Sequence, residues 1–262
     1  MRTERWAGQD SDDWIEPEMF EALLSEAETN GQDVVICRHL RDRGNDFQKL
    51  ADKGSGKIDR IIIDTKDVRS RFIMESPMHF NVWDKIIRKE ILDHNWIRFP
   101  EQVAYEDIYF GALLHLYARR VAYVDTIHYH YYINPNSTVL KKDAAYHGDI
   151  ITVNEMLVET LKERGFWETY QKSLEIDLLF IWYLATVKII CLRFEKPPYE
   201  MFCRLKRSIL FYIPECLKNP YIPVYMKEFY QLLLKLLEIE VTPPVLDQVA
   251  EQYKQYVQTY EG

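Results

Sequence analysis

Three carboxylates lie close together near the start of the chain, in the stretch Asp10-Ser11-Asp12-Asp13-Trp14. In an extended segment, residues two apart point the same way, so Asp10 and Asp12 would share one face and Asp13 would point to the other. Two carboxylates on one face suit a hard divalent cation such as Mg²⁺ or Mn²⁺, which prefers oxygen ligands and keeps positions open for phosphate. The spacing therefore predicts a metal site that acts on a phosphorylated ligand.

The same stretch also has a simpler interpretation as the start of a helix. Pro17 is suited to a first helical position, and aspartates just before a helix favour its macrodipole. These residues alone leave both interpretations open.

A second acidic pair, Glu106 and Asp107, begins a mostly apolar segment that predicts a buried helix over residues 103–119. The helix dipole favours the ionised form of both side chains. A carboxylate that is ionised, yet desolvated by a bound substrate, is a workable general base for a hydroxyl group. The alternative is a pair of capping residues without a chemical role.

Two histidines, His128 and His130, alternate with tyrosines in a segment predicted to be a strand, so they share one face. Neutral imidazoles two residues apart can chelate a metal, and Asp12 would be a third ligand from elsewhere in the fold. The alternative is an aromatic-rich strand face. A metal-binding helical protein that holds Zn²⁺ through both histidines, without Asp12, is therefore one hypothesis for the function.

Three further stretches complete the set of motifs: Trp83 with Lys85, the lead-in Phe99-Pro100-Glu101, and the aromatic run from Tyr129 to Val139. In this order and approximate spacing, the set resembles family-2 glycosyltransferases of the GT-A fold, over about residues 8–140. In that family an Asp-x-Asp motif holds the metal bound to the diphosphate of a nucleotide sugar. The resemblance thus implies a transferase that uses Mn²⁺ or Mg²⁺.

The resemblance also implies roles for individual residues. Asp10 and Asp12, with His130, would bind the metal. Asp107 and Glu106 would be the catalytic pair, with Asp107 as the base. Trp83, Lys85 and Ser137 would contact the donor or the acceptor. Two positions depart from the family pattern: Asp84 stands where asparagine is usual, and Tyr132 stands where many members have an arginine.

The implied reaction is transfer of a sugar from a nucleotide diphosphate sugar to a glycan or lipid-linked acceptor. Family members also have an N-terminal half of alternating strands and helices that binds the nucleotide, and residues 1–9 do not supply it. We therefore expect a donor site that is half built, with a partner chain providing the rest, or a truncated product. The alternative function is a catalytically inactive relative that serves as a binding or interaction module.

Composition limits the class of protein. The chain has 262 residues, of which 47% are hydrophobic, and a net charge of −8, which argues against nucleic acid as a partner. Four cysteines without a Cys-x-x-Cys pair indicate reduced thiols in a cytoplasmic protein. The longest uncharged apolar run, residues 178–187, is too short to span a bilayer. A locally basic stretch at 188–207 suits anionic lipid headgroups, so we expect a cytoplasmic protein, peripheral to the inner face of the membrane.

The hydrophobic pattern predicts an α/β protein: an incomplete GT-A (Rossmann-like) sheet region over residues 1–140, followed by an all-α region over residues 141–262. Helices are expected at 16–30, ended by Asn30-Gly31, and at 67–74. For 80–94 the resemblance implies a segment that contributes to the sugar pocket, and the alternative is an amphipathic helix; both can hold. Strands are expected at 33–37, 57–64, 121–125 and 127–133. Residues 38–56 are predicted to be a loop, and 134–136 a turn and mobile lid. Five helical segments are expected after residue 144: 144–164, 167–194, 198–212, 221–239 and 244–260.

Overall fold

The computed structural model describes residues 4–42, 53–78, 80–134, 137 and 140–260. The chain forms two compact units. The first comprises Met1–Phe72, Pro77–Phe99 and Phe110–Ser137, and the second comprises Ile73–Ser76, Pro100–Tyr109 and Thr138–Gly262. Of the predicted turn and lid at 134–136, only residue 134 lies among the described residues.

The first unit is built on a mixed sheet. Its described strands are β1 (Arg5–Ala7), β2 (Trp14–Ile15), β3 (Val34–Asp42), β4 (Ile58–Ile62), β5 (Lys85–Arg88) and β6 (Arg120–Tyr132). Their order is β1-β5-β3-β6-β2, and β4 also pairs with β6. Only the β3–β6 pair among these ladders is parallel; the others are antiparallel. Strand β6 is therefore hydrogen-bonded to three other strands, and the predicted α/β class is confirmed.

Four helices follow or separate these strands: α1 (Met19–Asn30), α2 (Lys66–Glu75), α3 (Lys89–His94) and α4 (Glu106–Tyr117). Along α1, Met19, Leu23 and Ala27 recur every four residues and are fully buried, so one face of the helix covers the sheet. Gly31 ends α1 with φ 62°, and its N–H donates to the carbonyl of Ala27. Glycine adopts this left-handed conformation without steric strain, and the predicted helix end is confirmed.

The core beneath α1 joins residues that are distant in sequence. Val35 from β3, Ile86 from β5 and Tyr129 from β6 are buried together against the helix. Trp83 is half-buried at the margin of this cluster. The margin is important because it brings Trp83 close to the last residues of β6.

The alternative of an amphipathic helix over residues 80–94 holds only for the last part of this segment. Residues 85–88 form β5, which pairs with β3 on one side and with β1 on the other. Ile86 and Ile87 fit a helical spacing equally well, but their long-range strand partners decide the conformation. Only the following residues, Lys89–His94, form the short helix α3.

Long-range pairing also lengthens two other strands. Strand β3 continues through the polar residues 38–42, which were predicted to be loop, because each of them pairs with β6. The two strands predicted at 121–125 and 127–133 are one strand, β6, whose pairing with β3 shifts register around Cys37, Arg38 and His39. The predicted strand at 57–64 and helix at 67–74 are confirmed as β4 and α2.

The second unit is helical after residue 140. Its helices are α5 (Asp149–Glu163), α6 (Phe166–Leu178), α7 (Ala185–Leu192), α8 (Tyr199–Tyr212), α9 (Ile222–Tyr225), α10 (Glu228–Leu234) and α11 (Pro243–Tyr260). A 3₁₀ turn at Ala145–Gly148 precedes α5. The helix predicted over 167–194 is interrupted by a π-helical segment, Leu179–Leu184, between α6 and α7.

Polar contacts between helices of this unit use part of the basic stretch. Arg204 on α8 forms an ion pair of 2.8 Å with Glu155 on α5, and Ser208 donates to the same carboxylate at 2.5 Å. Lys206 donates to the carbonyls of Leu236 and Ile239, at 3.0 and 2.5 Å. These cations have partners inside the protein. Within the part of the chain that the structure describes, no helix is long and apolar enough to cross a membrane.

Candidate functional site

The acidic stretch forms a turn. The chain reverses at Ser11 and Asp12, and the N–H of Asp13 donates to the carbonyl of Asp10 at 3.4 Å. The extended conformation assumed for Asp10 and Asp12 was therefore wrong. Both of these residues are exposed, whereas Asp13 is only 9% exposed.

Asp13 attaches the turn to strand β6. Its Oδ2 accepts a hydrogen bond of 2.6 Å from the Tyr129 hydroxyl, and its Oδ1 accepts one of 2.7 Å from the N–H of Tyr132. The Tyr129 hydroxyl in turn accepts from the N–H of Asp10 at 3.3 Å. Burial raises the pKa of Tyr129, and the bond to Asp13 raises it further, so the hydroxyl remains a donor. Both carboxylate oxygens of Asp13 are used to hold the turn, which presents Asp10 and Asp12 to solvent.

Strand β2 continues the attachment on the other side of the turn. Trp14 pairs with His130 in the sheet, and the two rings stack with centroids 3.4 Å apart. The Nε2 atom of His130 lies 2.9 Å from Oε1 of Glu16, and Lys53 lies 3.2 Å from the other oxygen. Burial acts to raise the pKa of Glu16, but the hydrogen bonds from His130 and Lys53 outweigh it and leave the pKa below its usual value. Glu16 is thus an ionised partner of His130.

This arrangement bears on the predicted metal ligands. His130 is fully buried beneath Trp14 with Nε2 directed to Glu16, so it does not fit as a ligand of the same ion as Asp12. Among residues 4–42, 53–78, 80–134, 137 and 140–260, no three His, Cys, Asp or Glu side chains are grouped to hold a metal. The zinc hypothesis for His128 and His130 has no such cluster to support it.

Asp10 and Asp12 fit a different kind of metal site. Mg²⁺ is commonly held by one or two carboxylates, with waters and substrate phosphates as its other ligands. Two exposed carboxylates on an anchored turn match that donor set, and a closed cage of protein ligands is not needed. A metal at Asp10 and Asp12 stays a prediction.

Trp83 lies in an aromatic cluster at the same end of β6. Its ring stacks on Tyr129 with centroids 4.3 Å apart and on Tyr131 at 5.4 Å, while His39 approaches edge-on at 4.8 Å. Because Tyr129 also holds Asp13, the acidic turn and the aromatic cluster share one anchoring residue. An aromatic surface of this kind can stack on the apolar face of a sugar ring or a base.

The residues after Trp83 form a buried ion pair. The Lys85 ammonium lies 2.8 Å from Oδ1 of Asp84 and also donates to the carbonyl of Asn81, and Nδ1 of His39 lies 3.5 Å from the other carboxylate oxygen. Burial acts to raise the pKa of Asp84, but the charge of Lys85 and the bond from His39 outweigh it and lower the pKa. The ammonium of Lys85 is bonded inside the protein, so Lys85 does not fit as a direct contact of the substrate.

The second acidic pair belongs to the second unit. Glu106 and Asp107 occupy the first turn of α4, as predicted; Glu106 is exposed and Asp107 is half-buried. Oδ1 of Asp107 accepts a hydrogen bond of 3.0 Å from the N–H of Ile108. The preceding loop is tied to the region around α5, because Tyr105 contacts His147 and the N–H of Ala104 donates to Asp149.

Ser137, the last predicted contact residue, is half-buried, and its N–H donates to the carbonyl of Asn134 at 2.9 Å. Sequence reasoning missed the anchoring roles of Asp13 and Tyr129. The available signal was the third carboxylate of the acidic run together with tyrosines at alternate positions of β6.

Comparisons with known proteins give one sequence relative and several solved structures of the same fold. The chain is 29% identical over 170 residues to EpsH of Bacillus subtilis (strain 168), which is provisionally assigned as a glycosyltransferase. The match covers 63% of this chain and 48% of EpsH, so the chain spans about half the length of that relative. A comparison with profiles of known protein families finds no match.

Solved structures of S. aureus TarS, residues 1–349, share the fold. One matches 98% of this chain and 67% of its own length with a TM-score of 0.58 and 19% identity. The TarS complexes with UDP and with UDP-GlcNAc match 98% of this chain at 17% identity, with TM-scores of 0.60 and 0.62. The sequence relative is described as a glycosyltransferase, and the TarS structures show the same fold.

Proposed function

We propose that this protein is a glycosyltransferase of the family-2 type that transfers a sugar from a nucleotide diphosphate sugar to a glycan or lipid-linked acceptor. The observation that carries the proposal is the anchoring of the acidic turn: Asp13 is held by Tyr129 and Tyr132, while Asp10 and Asp12 face solvent. The fold shared with TarS, which was solved with UDP and UDP-GlcNAc, supports the same class of donor.

In the first unit, Asp10 and Asp12 would hold Mg²⁺ or Mn²⁺ at the donor diphosphate. When bound, the metal takes up negative charge that develops on the leaving nucleotide diphosphate. The protein's own contribution is to fix the turn through Asp13, so that the two carboxylates do not have to be ordered when the donor arrives. Trp83 supplies an aromatic surface next to the same anchor.

In the second unit, Asp107 would accept the proton of the acceptor hydroxyl, as the resemblance implies. Its place in the first turn of α4 favours the ionised carboxylate that a base needs. Glu106, beside it, is more exposed and is the matched residue against which this role is tested.

Donor binding is tested by calorimetric titration of the chain with UDP and UDP-sugars, with and without Mn²⁺. We expect binding that depends on the metal and is reduced at least tenfold in Asp12→Asn. The matched control is Asp64→Asn, which removes an exposed carboxylate after β4 in the same unit and leaves binding unchanged. Metal-dependent binding that is equal in Asp12→Asn and the wild type would contradict the metal site.

Transfer is tested separately on the acceptor side. Asp107→Asn should keep donor affinity within a few-fold and lose transfer by about 10²-fold or more, because a general base contributes about this much. Glu106→Gln should retain most of the activity. Normal turnover in Asp107→Asn would remove Asp107 as the base.

The alternative function is a non-catalytic binding module. It predicts a cooperatively folded chain that binds a glycan but shows no transfer with any donor. Transfer that Asp107→Asn abolishes would exclude this alternative.

A further inference from the structure

The residue before the acidic pair of α4 has an uncommon backbone conformation. Tyr105 has φ 65°, in the left-handed region that bulky residues rarely adopt. The N–H of Ile108 donates to the carbonyl of Tyr105 at 3.1 Å, so this conformation leads directly into the first turn of the helix. Such a conformation persists only where surrounding contacts hold it, and it is a reason to look for a function.

The contact that holds Tyr105 is a buried histidine. The hydroxyl of Tyr105 lies 2.5 Å from Nδ1 of His147, a fully buried residue of the 3₁₀ turn before α5. The other ring nitrogen, Nε2, lies 2.8 Å from the carbonyl of Lys141. A carbonyl can only accept, so Nε2 carries a hydrogen. In the neutral imidazole Nδ1 then accepts, and the Tyr105 hydroxyl donates.

Burial raises the pKa of Tyr105 to about 12, so its hydroxyl stays protonated and able to donate over the ordinary pH range. The histidine is further enclosed by aromatic rings, with Phe194 edge-on at 5.6 Å and Tyr146 at 4.8 Å. The acceptor for Tyr105 is thus fixed in place and in tautomer.

A second tether acts one residue earlier. The N–H of Ala104 donates to Oδ2 of Asp149, the first residue of α5, at 3.0 Å. Two consecutive residues, Ala104 and Tyr105, are therefore bonded to the segment that begins α5, immediately before Glu106 and Asp107. Both tethers lie within the second unit.

We propose that Tyr105 and His147 are positioning residues for Asp107, which they hold in the orientation required to take a proton from the acceptor hydroxyl. This inference rests on the proposed function. The hydroxyl–imidazole bond fixes the backbone at Tyr105, the fixed backbone sets the first turn of α4, and Asp107 is the second residue of that turn. A displacement of about 1 Å in a reacting group can lower a rate by about 10²-fold.

The test compares two tyrosine variants of the same helix start. Tyr105→Phe removes the bond to His147. Tyr109→Phe is the matched control, since Tyr109 also bonds to α5, through Thr160 at 2.9 Å, but lies beyond Asp107 in sequence. We expect kcat to fall at least tenfold in Tyr105→Phe, with KM for the donor within twofold, and both constants to stay within twofold in Tyr109→Phe. An equal loss in the two variants, or none in Tyr105→Phe, would overturn the proposal.

A readout without turnover separates this inference from the proposed function. The Asp107 carboxyl is followed by carbon-13 NMR during a pH titration and assigned with Asp107→Asn. We expect the titration midpoint of the Asp107 carboxyl to move by half a pH unit or more in Tyr105→Phe and to stay unchanged in Tyr109→Phe. If the wild type transfers no sugar, the proposed function fails while this titration still decides the positioning role; an unmoved midpoint rejects it. His147→Asn, which withdraws the acceptor, is the second variant if Tyr105→Phe does not fold, with the same expected result.

Discussion

Asp84 and Lys85 form an ion pair whose side chains are 2% and 1% exposed. Each charge of this pair is compensated by the other in a site shielded from water. Removing one partner of a buried pair leaves the other charge without compensation, which is far more damaging than losing an exposed pair.

Asp84→Asn should therefore destabilise the protein. We expect the free energy of unfolding at pH 7 to fall by roughly 3–5 kcal/mol, because Lys85 loses its counter-charge in a site shielded from water. Urea unfolding measures this. The matched control is Asp59→Asn. Asp59 lies 2.7 Å from Lys57, but the side chains of Lys57 and Asp59 are 69% and 63% exposed. This change should leave the urea midpoint unchanged.

The same pair predicts a pH dependence. The pKa of Asp84 is depressed in the folded chain. Its contribution to the free energy of unfolding is therefore complete above the ordinary aspartate pKa of 3.8, and it is lost as the pH falls through the lower pKa of the folded chain. The wild type should thus lose stability on acidification below about pH 4. If the free energy of unfolding fell equally steeply with pH below about pH 4 in the wild type and in Asp84→Asn, this expectation would be contradicted.

Single residues also show what the sequence could and could not predict of the site. Residue type and spacing single out the acidic residues at 10–12 and 106–107 as candidates, and their chemistry stays a prediction. The role of Asp13 was not identifiable, since its partner Tyr129 is 116 positions away and the bond exists only once β2 and β6 are paired. His130 looked like a metal ligand for the same reason: Glu16 and Trp14 meet it only in the folded sheet.

Among the elements, strand β6 has the largest role, because it pairs with β2, β3 and β4 and anchors the acidic turn. Local patterns predicted the elements whose conformation is locally determined, such as α1 with its four-residue spacing and its glycine end. They failed for β5 and for the polar end of β3, where the partner strand decides the conformation.

The anchoring of the turn on β6 is tested with Tyr129→Phe. This change keeps the stacking on Trp83 but removes the hydroxyl that donates to Asp13, so it should lower the free energy of unfolding by about 1.5–3 kcal/mol. It should also weaken metal-dependent donor binding at least tenfold by calorimetry. Tyr183→Phe is the control: it removes a buried hydroxyl bond of 2.7 Å to Leu233 in the second unit and should not change donor affinity. Equal donor affinities in the two variants would contradict the anchoring role.

Helix α6 carries an unfavourable group just before the π-helical segment. Burial raises the pKa of Asp177 to about 7. A carboxyl with a raised folded pKa stays neutral while the unfolded chain ionises, so stability falls as the pH rises from 3.8 to about 7 and is then constant. At neutral pH this lowers the free energy of unfolding by at most about 4 kcal/mol.

Asp177→Asn should remove this penalty. We expect a higher thermal midpoint than the wild type at pH 7.5 and a similar one at pH 4, measured by calorimetry at both pH values. Glu163→Gln, an exposed carboxyl-to-amide change at the end of α5, should give no such difference. A lower midpoint for Asp177→Asn at pH 7.5 would show that the carboxylate has a stabilising partner when ionised.

For the whole molecule, the charge distribution bears on the membrane contact expected from the basic stretch, which stays a prediction. The chain has a net charge of −8, and two cations of that stretch, Arg204 and Lys206, are directed to partners inside the protein. In a sedimentation assay at about 0.1 M salt, where charges beyond about 10 Å are screened, the protein should stay in the supernatant equally with anionic and zwitterionic vesicles. Sedimentation with anionic vesicles alone, lost in Lys196→Gln and Arg207→Gln, would contradict this expectation.

The acidic turn is joined to the sheet through its shortest strand. Strand β2 has two residues, Trp14 and Ile15, and pairs only with the far end of β6 among the described ladders. Release of this pairing exposes few amides and leaves the long β3–β6 ladder intact, so hydrogen exchange at Trp14 and Ile15 should report a local opening well below the free energy of global unfolding. A donor that binds only the closed form has an apparent affinity reduced by the closed fraction. Under the proposed function, substitutions in this two-residue strand should therefore change the apparent affinity for a nucleotide-sugar donor by changing the closed fraction alone.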